Sequence, residues 1–352
     1  MSYFRPAVDA MKGYVPGEQP KPGTPITKLN TNENPYPPSP QAMEALRSVS
    51  GESLRRYPDP FARDFCSAVS DALNVPAEWV IVGNGSDDVL NIVIRSCAEG
   101  QTRKVVYPMP TYVLYRTLSE MQPTEIVEVP YDADFKLPID DLIAANGAVT
   151  FIASPNSPSG HCVPLNELRE LAKKVSGVLA IDEAYADFAD YTAIDLVKEF
   201  DNVIVLRTMS KGYSLAGLRL GFGVANPSLL AGLFKVKDSY NIDAVAIAVG
   251  TAAMRDQTYK NECAEKVKES RSKLAIDLKN LGFIPRESYG NFILATAPQD
   301  AETLYLGLKN RGILVRYFKQ IGLEDKLRIS VGTPEQNDLL LEALVSLTQT
   351  IL

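Results

Sequence analysis

The sequence predicts an α/β fold: a large, mostly parallel sheet with helices on both faces (α/β/α), followed by a smaller α+β unit. Seven short apolar runs recur along the first two thirds of the chain, at Trp79–Val82, Val105–Tyr107, Ile126–Val129, Val149–Ala153, Val178–Ile181, Val203–Leu206 and Leu220–Val224. Most are separated by segments long enough for a crossover, and uninterrupted apolar strands of this kind belong to parallel sheets buried on both sides. The chain has 352 residues, enough for about two domains of ordinary size and for a core that needs neither disulfide nor metal.

The first element is an extended arm, residues 1–38. Eight of the 24 prolines fall between Pro16 and Pro40, and proline removes donors and fixes φ, which excludes a regular helix or a central strand there. The stretch LNTNENPY carries one leucine among several side-chain hydrogen-bonders, so the arm is expected to lie ordered over the body rather than to hang free. From Ser39 the pattern turns helical, at Gln41–Val49 and Phe61–Leu73, and the seven runs follow within a large unit of residues 39–255. Asn241–Asn280 reads as largely helical. The final unit, residues 256–352, has strand candidates at Phe292–Ala295, Ile313–Val315 and Leu327–Ser330 and helices at Ala301–Lys309 and Pro334–Leu352.

Composition excludes several classes of function. Thirty-six Lys+Arg against 43 Asp+Glu leave a charge of −7 with no long single-sign run, which argues against a nucleic-acid grip. No apolar signal segment and no run of apolar residues long enough to span a bilayer is present, and a cytoplasmic location is expected. Cys66, Cys97, Cys162 and Cys263 lie at least 31 residues apart, without metal-knuckle spacing or the density of a disulfide scaffold. The single histidine, His161, removes the basis for Ser-His-Asp or Cys-His catalysis and for most zinc sites, and it reads as an ordinary loop residue without a visible partner.

Ligands of open α/β sheets bind at the carboxyl ends of the strands, and here those ends carry chemistry. Val82 is followed by Gly83-Asn84-Gly85-Ser86-Asp87-Asp88, Ala153 by SPNSPSG, Ile181 by Asp182-Glu183-Ala184-Tyr185, and Leu206 by Arg207-Thr208-Met209-Ser210-Lys211. Neither Gly83-x-Gly85 nor Gly221-x-Gly223 completes a dinucleotide fingerprint, and no Gly-Lys pair exists for a P-loop. A helix starting at Ser86 offers free N–H groups and a positive dipole end to a phosphate, with small Gly85 and Ser86 permitting close approach; ordinary capping by Ser86 or Asp87 explains the same residues. Asp182 ends an uncharged strand, where an ionised carboxylate calls for a cation.

Lys211 stands one crossover later, among the hydroxyls of Thr208 and Ser210 and ahead of Arg219. An amine, a carboxylate, hydroxyls, an arginine and a helix terminus at one sheet edge suit pyridoxal 5′-phosphate, which takes an amine for its Schiff base, a carboxylate for its pyridinium nitrogen and a cup for its phosphate. A helix terminus supplies about 0.3–2 kcal/mol and each charge-assisted bond about 1.5–3 kcal/mol, so a covalent link to Lys211 adds what those contacts need not provide.

The strings TMSKGYSLAGLRLGFG, SPNSPSG, IDEAYADF and LNTNENPYPPSP occur in the order found in fold-type-I pyridoxal-phosphate enzymes, and from about Tyr14 to Thr333 the chain resembles that family and, within it, the histidinol-phosphate aminotransferases. It departs in reading SPNSPSG where the family more often has SPNNPTG, and Ser86-Asp87-Asp88 where Ala-Asp-Glu is frequent; the polar atoms are kept. The resemblance implies that Lys211 is the Schiff-base lysine and Asp182 the pyridinium partner. It implies that Tyr185 and Asn156 bond the 3′-oxygen, that Tyr112 stacks on the ring, and that Gly85, Ser86, Asp87, Thr208, Ser210 and Arg219 surround the phosphate. Tyr57 of RRYPDP would reach the cofactor of a second subunit, implying a homodimer with shared sites. Arg328 of LRISVGT would hold the substrate's anionic end, with Arg316, Tyr14 and Asn34 as helpers.

The activity so implied is transfer of an amino group between glutamate/2-oxoglutarate and histidinol phosphate/imidazole acetol phosphate, in histidine biosynthesis. A threonine-phosphate decarboxylase and an aromatic amino-acid aminotransferase share the same motifs. Outside enzymology, a sugar-phosphate- or nucleotide-binding module could use Gly83–Asp88 alone, with no role for Lys211.

Overall fold

A computed structural model describes residues 2–11, 13, 17–20, 23 and 25–349. The proline-rich arm makes only a two-residue strand, β1 (Thr27–Lys28), which pairs in parallel with a strand nearly 300 residues later. Leu29 beside it is 2% exposed and belongs to the core of the C-terminal unit. Through Leu29 the arm thus joins the small unit's core.

All seven apolar runs enter one sheet. Its strands are β2 (Val80–Gly83), β3 (Gly100–Met109), β4 (Thr124–Pro130), β5 (Val149–Ala153), β6 (Val178–Asp182), β7 (Val203–Thr208) and β8 (Gly221–Ala225). The order is β2-β8-β7-β6-β5-β3-β4, and every pairing is parallel except those of β8, which runs antiparallel to both β2 and β7. Side-chain alternation assigns the two faces: Leu179, Ile181, Val203 and Val205 enter one apolar cluster, while Val178, Ala180, Ile204 and Leu206 enter the other. Both faces are covered, which is why β5, β6, β7 and β8 are buried at every position. With β2 parallel in direction to its crossover partners, the ends of β2, β3, β5, β6 and β7 open on one edge.

The small unit has a four-stranded antiparallel sheet, ordered β12-β13-β10-β9, from β9 (Ile284–Pro285), β10 (Phe292–Thr296), β12 (Arg316–Tyr317) and β13 (Lys326–Ser330). The helices Gln257–Asn280, Ala301–Asn310 and Pro334–Gln349 pack on it through Leu274, Leu278, Leu304, Leu308, Leu340 and Leu344.

Three local expectations are corrected. Ile313–Val315 is not one strand: Ile313–Leu314 forms β11 against the arm, and after Val315 the chain moves to β12 in the other sheet. Trp79 lies in a 3-10 turn, Ala77–Trp79, ahead of β2. The helix expected from Phe61 begins at Arg63, because Asp59 takes the N–H groups of Phe61 and Arg63 and Ala62 turns left-handed at φ 48°. Asn241–Asn280 is largely helical as expected, in two helices, Ala244–Arg255 and Gln257–Asn280, with Asp256 capping the second through Tyr259 N.

If the arm is part of the core, Leu29→Ala lowers unfolding stability by about 2–5 kcal/mol, the usual result of emptying a buried leucine site. A shift in the urea midpoint checks this; a free tail would change stability by less than about 0.5 kcal/mol.

Candidate active site

A cavity of about 840 Å³ opens at the carboxyl edge of the large sheet and extends to the arm and to β12 and β13. Its floor is the end of β6. Asp182 is 5% exposed, and burial raises its carboxyl to about 6, with the carboxylates of Asp87 and Glu183 adding to the rise. Two hydrogen bonds act the other way: Tyr115 Oη donates to Oδ2 at 2.7 Å and Ala184 N to Oδ1 at 3.1 Å. Among the described residues no lysine or arginine is a hydrogen-bond partner of this group.

Lys211 lies just past β7 and also lines the cavity. Its Nζ donates to Thr31 O at 3.0 Å and stands 5.7 Å from the centre of the Tyr185 ring. Tyr185 Oη accepts from Asn32 Nδ2 at 3.0 Å, and Thr208 Oγ1 accepts from Ser210 N at 3.1 Å.

The anion cup forms where β2 turns into the helix Ser86–Cys97. Gly85 is its N-cap at φ 80°, and no side chain caps the helix. Capping by Ser86 or Asp87, the alternative open in the sequence, is therefore excluded: both lie inside the first turn. Gly85 favours glycine because its φ is left-handed, and a Cβ there would also displace the Arg219 guanidinium that lies against it. Gly221 on β8 lies against the backbone of Ser86 and equally has no room for a Cβ. Arg219, itself left-handed at φ 54°, donates from Nη2 to Asp87 Oδ2 at 3.1 Å and from Nη1 to Ser210 Oγ at 3.5 Å. Asp87 also accepts from Tyr112 Oη at 3.2 Å, so one carboxylate aligns the arginine and the ring.

At the opposite lip, Arg316 of β12 and Arg328 of β13 are directly opposed across the ladder. Like charges in this register repel, and an anion between or beside them offsets the repulsion. Arg328 donates to Ser157 Oγ and to Asn30 O, both at 2.9 Å, which fixes its plane. Phe318 lies within 5.5 Å of Arg316 and 5.6 Å of Arg328.

Gly85 forms the turn itself, and the structure gathers Ser86, Asp87, Tyr112, Asp182, Tyr185, Thr208, Ser210, Lys211, Arg219, Arg316 and Arg328 around this one cavity. Tyr14 lies outside the described residues. Tyr57 is 81% exposed, away from the cavity, and stacks on Tyr240 at 4.5 Å. Asn34 does not reach the cavity as expected of a substrate helper: its amide donates to the carbonyls of Lys211 at 3.0 Å and Gly212 at 3.3 Å, holding the lysine loop. Asn156 is fully buried. Its Oδ1 accepts from Thr111 Oγ1 at 2.7 Å, and its Nδ2 donates to Pro110 O at 3.1 Å and Ser159 Oγ at 2.8 Å.

Sequence reasoning missed Tyr115, Thr31, Asn32 and Ser157, each bonded to an expected site residue. For Tyr115 a signal existed, since it follows Tyr112 by one helical turn.

His161 also has a partner that the sequence did not reveal. Ser159 Oγ accepts from Asn156 Nδ2 at 2.8 Å and shares a hydrogen bond with His161 Nδ1 at 2.7 Å. Tyr131 and Phe135 enclose the ring at 5.2 and 5.7 Å.

The sequence matches the family model of aminotransferase class I and II over residues 24–344. The chain belongs to the class I and II aminotransferase family. It is similar to histidinol-phosphate aminotransferase 1 of Nostoc sp., with 64% identity over 350 residues, 99% of each chain. It is 42% identical to histidinol-phosphate aminotransferase of Syntrophotalea carbinolica over 348 residues, 99% of this chain and 100% of that protein. Among solved structures, histidinol-phosphate aminotransferase from Sinorhizobium meliloti, in complex with pyridoxal-5′-phosphate, superposes with a TM-score of 0.91 at 25% identity, covering 100% of this chain and 99% of that one. In this aminotransferase no described helix is long and apolar enough to cross a membrane.

Burial lowers His161 to about 4 from 6.5, with the Arg286 charge adding to the fall. As pH drops from 6.5 toward 4 the unfolded chain takes up this proton before the folded one, so His161 contributes a loss of stability in that window. Asp182 acts oppositely: its folded carboxyl holds a proton to about 6 against 3.8 in the open chain, so its contribution declines as pH rises between those values. Because the chain has one histidine, a single imidazole C2–H resonance reports the first effect. It should stay unshifted through pH 6.5 and move near 4; a midpoint at 6.5 would contradict the buried, neutral ring.

Proposed function

We propose that the chain is a histidinol-phosphate aminotransferase that uses pyridoxal 5′-phosphate, exchanging an amino group between glutamate and the phosphorylated ketone imidazole acetol phosphate in histidine biosynthesis. The observation that carries this reading is one cavity with a lysine amine and a buried carboxylate on one side and two opposed arginines on the other. The 64% identity to the Nostoc protein along the whole chain supports the same substrate.

The residues fit the cofactor. Asp182 is a buried carboxylate whose raised proton affinity a ring cation would relieve, and the glycines at 85 and 221 leave a backbone cradle that a phosphate can approach. When bound, the cofactor supplies an aldehyde for the amine and an electron-accepting pyridinium ring. Asp182 would hold the ring nitrogen, Tyr112 would cover the ring, and Ser86, Asp87, Thr208, Ser210 and Arg219 would form the phosphate cup. Tyr185 would bond the 3′-oxygen through its hydroxyl, and Asn156 would reach the same oxygen on exchanging one of its two loop acceptors. Lys211 Nζ would take the proton from the substrate's Cα and deliver it to the cofactor's C4′ carbon; loss of that proton rather than of carbon dioxide is what sets amino transfer apart from decarboxylation. Arg328, with Arg316, binds a carboxylate in one half-reaction and a phosphate in the other, which a planar guanidinium can do for either anion.

Tyr57 extends the reading to a homodimer. It is exposed near Leu54, Phe61 and Tyr240, each at least 49% exposed, and a second copy covering that surface would bring Tyr57 to the partner's phosphate cup. The division into an arm of residues 1–38, a large unit of 39–255 and a small unit of 256–352 belongs to the same proposal, with the break at Asp256 between two helices as its support.

Glutamate added to the purified protein should release 2-oxoglutarate with loss of the visible absorbance of the lysine-bound cofactor. Borohydride should fix the cofactor on Lys211, and Lys211→Ala should abolish both. Inertness to glutamate with carbon dioxide release from threonine phosphate would replace the transaminase by a lyase; a colourless protein indifferent to Lys211→Ala would remove the enzyme altogether.

Sharing of sites is checked by mixing. Lys211→Ala and Tyr57→Ala proteins, each impaired alone, should regain up to roughly a quarter of wild-type activity after joint refolding, because half of the dimers then hold one intact site. No recovery, with a monomer in sedimentation, would rule out the shared site.

A further inference from the structure

Tyr115 is the second residue of the helix Leu114–Glu120 and is fully buried. Its ring stacks on Phe151 of β5 at 4.8 Å and 12°, meets Tyr112 edge-on at 5.7 Å, and lies 5.8 Å from Tyr107. Three aromatic contacts leave the phenol little freedom, and its hydroxyl meets Asp182 Oδ2 at 2.7 Å. The phenol is held well above its ordinary range, by burial first and then by the Asp182 charge, so it remains a donor at every working pH. Among the described residues Asp182 has one other donor, the N–H of Ala184; the charges of Asp87, from the neighbouring helix, and of Glu183, next in the chain, both oppose its ionisation. Tyr112 and Tyr131 also act on Tyr115 itself.

Resting on the cofactor reading above, we propose that Tyr115 is a positioning residue for Asp182: its hydroxyl fixes the carboxylate's rotation and keeps it ionised toward the pyridinium nitrogen. A hydrogen bond to the charged form favours that form, and near the end of a buried apolar strand no solvent replaces it. Without the hydroxyl, the carboxyl holds its own proton to a higher pH, and the protonated fraction, a neutral acid, stabilises a ring cation poorly. Tyr115 thereby couples the helix that carries the stacking ring, through Tyr112, to the electronic state of the cofactor.

Tyr115→Phe retains the ring and its stacking and removes one oxygen. In cofactor-free protein with ¹³C-labelled aspartate, the Asp182 carboxyl midpoint, about 6 in the wild type, should rise, with proton affinity increased on the order of 10-fold. With ring-¹⁵N cofactor bound, the nitrogen signal should move from the pyridinium toward the neutral pyridine position, and kcat should fall on the order of 10- to 100-fold while KM for glutamate stays unchanged. 3-Fluorotyrosine at position 115, a stronger donor of nearly the same shape, should move the Asp182 midpoint the other way. A midpoint that ignores all three side chains, or a ring nitrogen that stays protonated in the phenylalanine variant, would overturn the proposal and leave Tyr115 a packing residue. A wild type that takes up no cofactor would instead defeat the reading of the site, a failure the binding spectrum separates from the other.

Discussion

The site depends on a carboxylate kept out of water with too little to compensate it. Asp182 and Glu183 are adjacent, both nearly inaccessible, and they are treated differently. Glu183 receives Arg207 Nε at 2.8 Å, Thr192 Oγ1 at 2.7 Å and the N–H of Ala193. That is a fully satisfied buried ion pair, with Asp187 and Lys260 extending the network to the long helix of the small unit. Asp182 receives a phenol and one backbone N–H and no cation. The chain can therefore pair a buried acid one residue away, and the partial compensation of Asp182 is a property of the site rather than of its depth. Leaving a charge under-compensated destabilises the protein, and such arrangements persist where a ligand completes them.

The arm closes the other side of that arrangement. Thr31 O takes the Lys211 amine, Asn34 ties the carbonyls of Lys211 and Gly212, Asn32 meets Tyr185, and Asn30 O receives Arg328. Asn32 also accepts from Ser330 Oγ at 2.9 Å, and its carbonyl takes the Asn291 amide at 3.0 Å. Four residues within the span 30–34 thus join the lysine loop of the large sheet to the arginine strand of the small one. An extended, proline-flanked segment suits this task because its carbonyls are not engaged in a helix or a sheet interior and remain available as acceptors. Asparagines add donors and acceptors at nearly every step. Leu29, buried in the small unit's core, holds the segment in register.

Those ties explain what could be read from the sequence and what could not. Apolar runs located all seven strands of the large sheet, and a strand's end is a local property, so Asp182, Lys211 and the Gly85-Ser86 turn stood out where β6, β7 and β2 finish. The opposition of Arg316 and Arg328 did not, because it follows from the division of Ile313–Tyr317 between two sheets, which the short β1 imposes from far away in sequence. Asn34 shows the same limit: its residue type announces hydrogen bonding, while its partners are set by the fold. Asn156 and His161 belong to a chain of bonds from Thr111 through Ser159 in which each donor fixes the next, and a loop motif alone gives no direction to such a chain. Tyr115 was passed over for a different reason: its spacing of three from Tyr112 was legible, but one tyrosine among many reads as core, and only its 2.7 Å contact with Asp182 separates the two roles.

The same geometry bears on why related chemistries can share this architecture. The bond at Cα that breaks is the one aligned with the π system of the ring, so the outcome is decided by how the substrate is turned, and the turning is done by whatever grips its anionic end. In the proposed reading that grip is built on antiparallel strands β12 and β13, whose cross-strand register fixes one arginine against the other, and Arg328 is further locked by Ser157 from the loop after β5 and by Asn30 from the arm. The base and the grip would then belong to different sheets joined by the same arm residues. A change in the arm would rotate the substrate relative to Lys211 without touching either. On that reading the motifs on the large sheet define which chemistry is available, and the arm and the small sheet define which bond undergoes it.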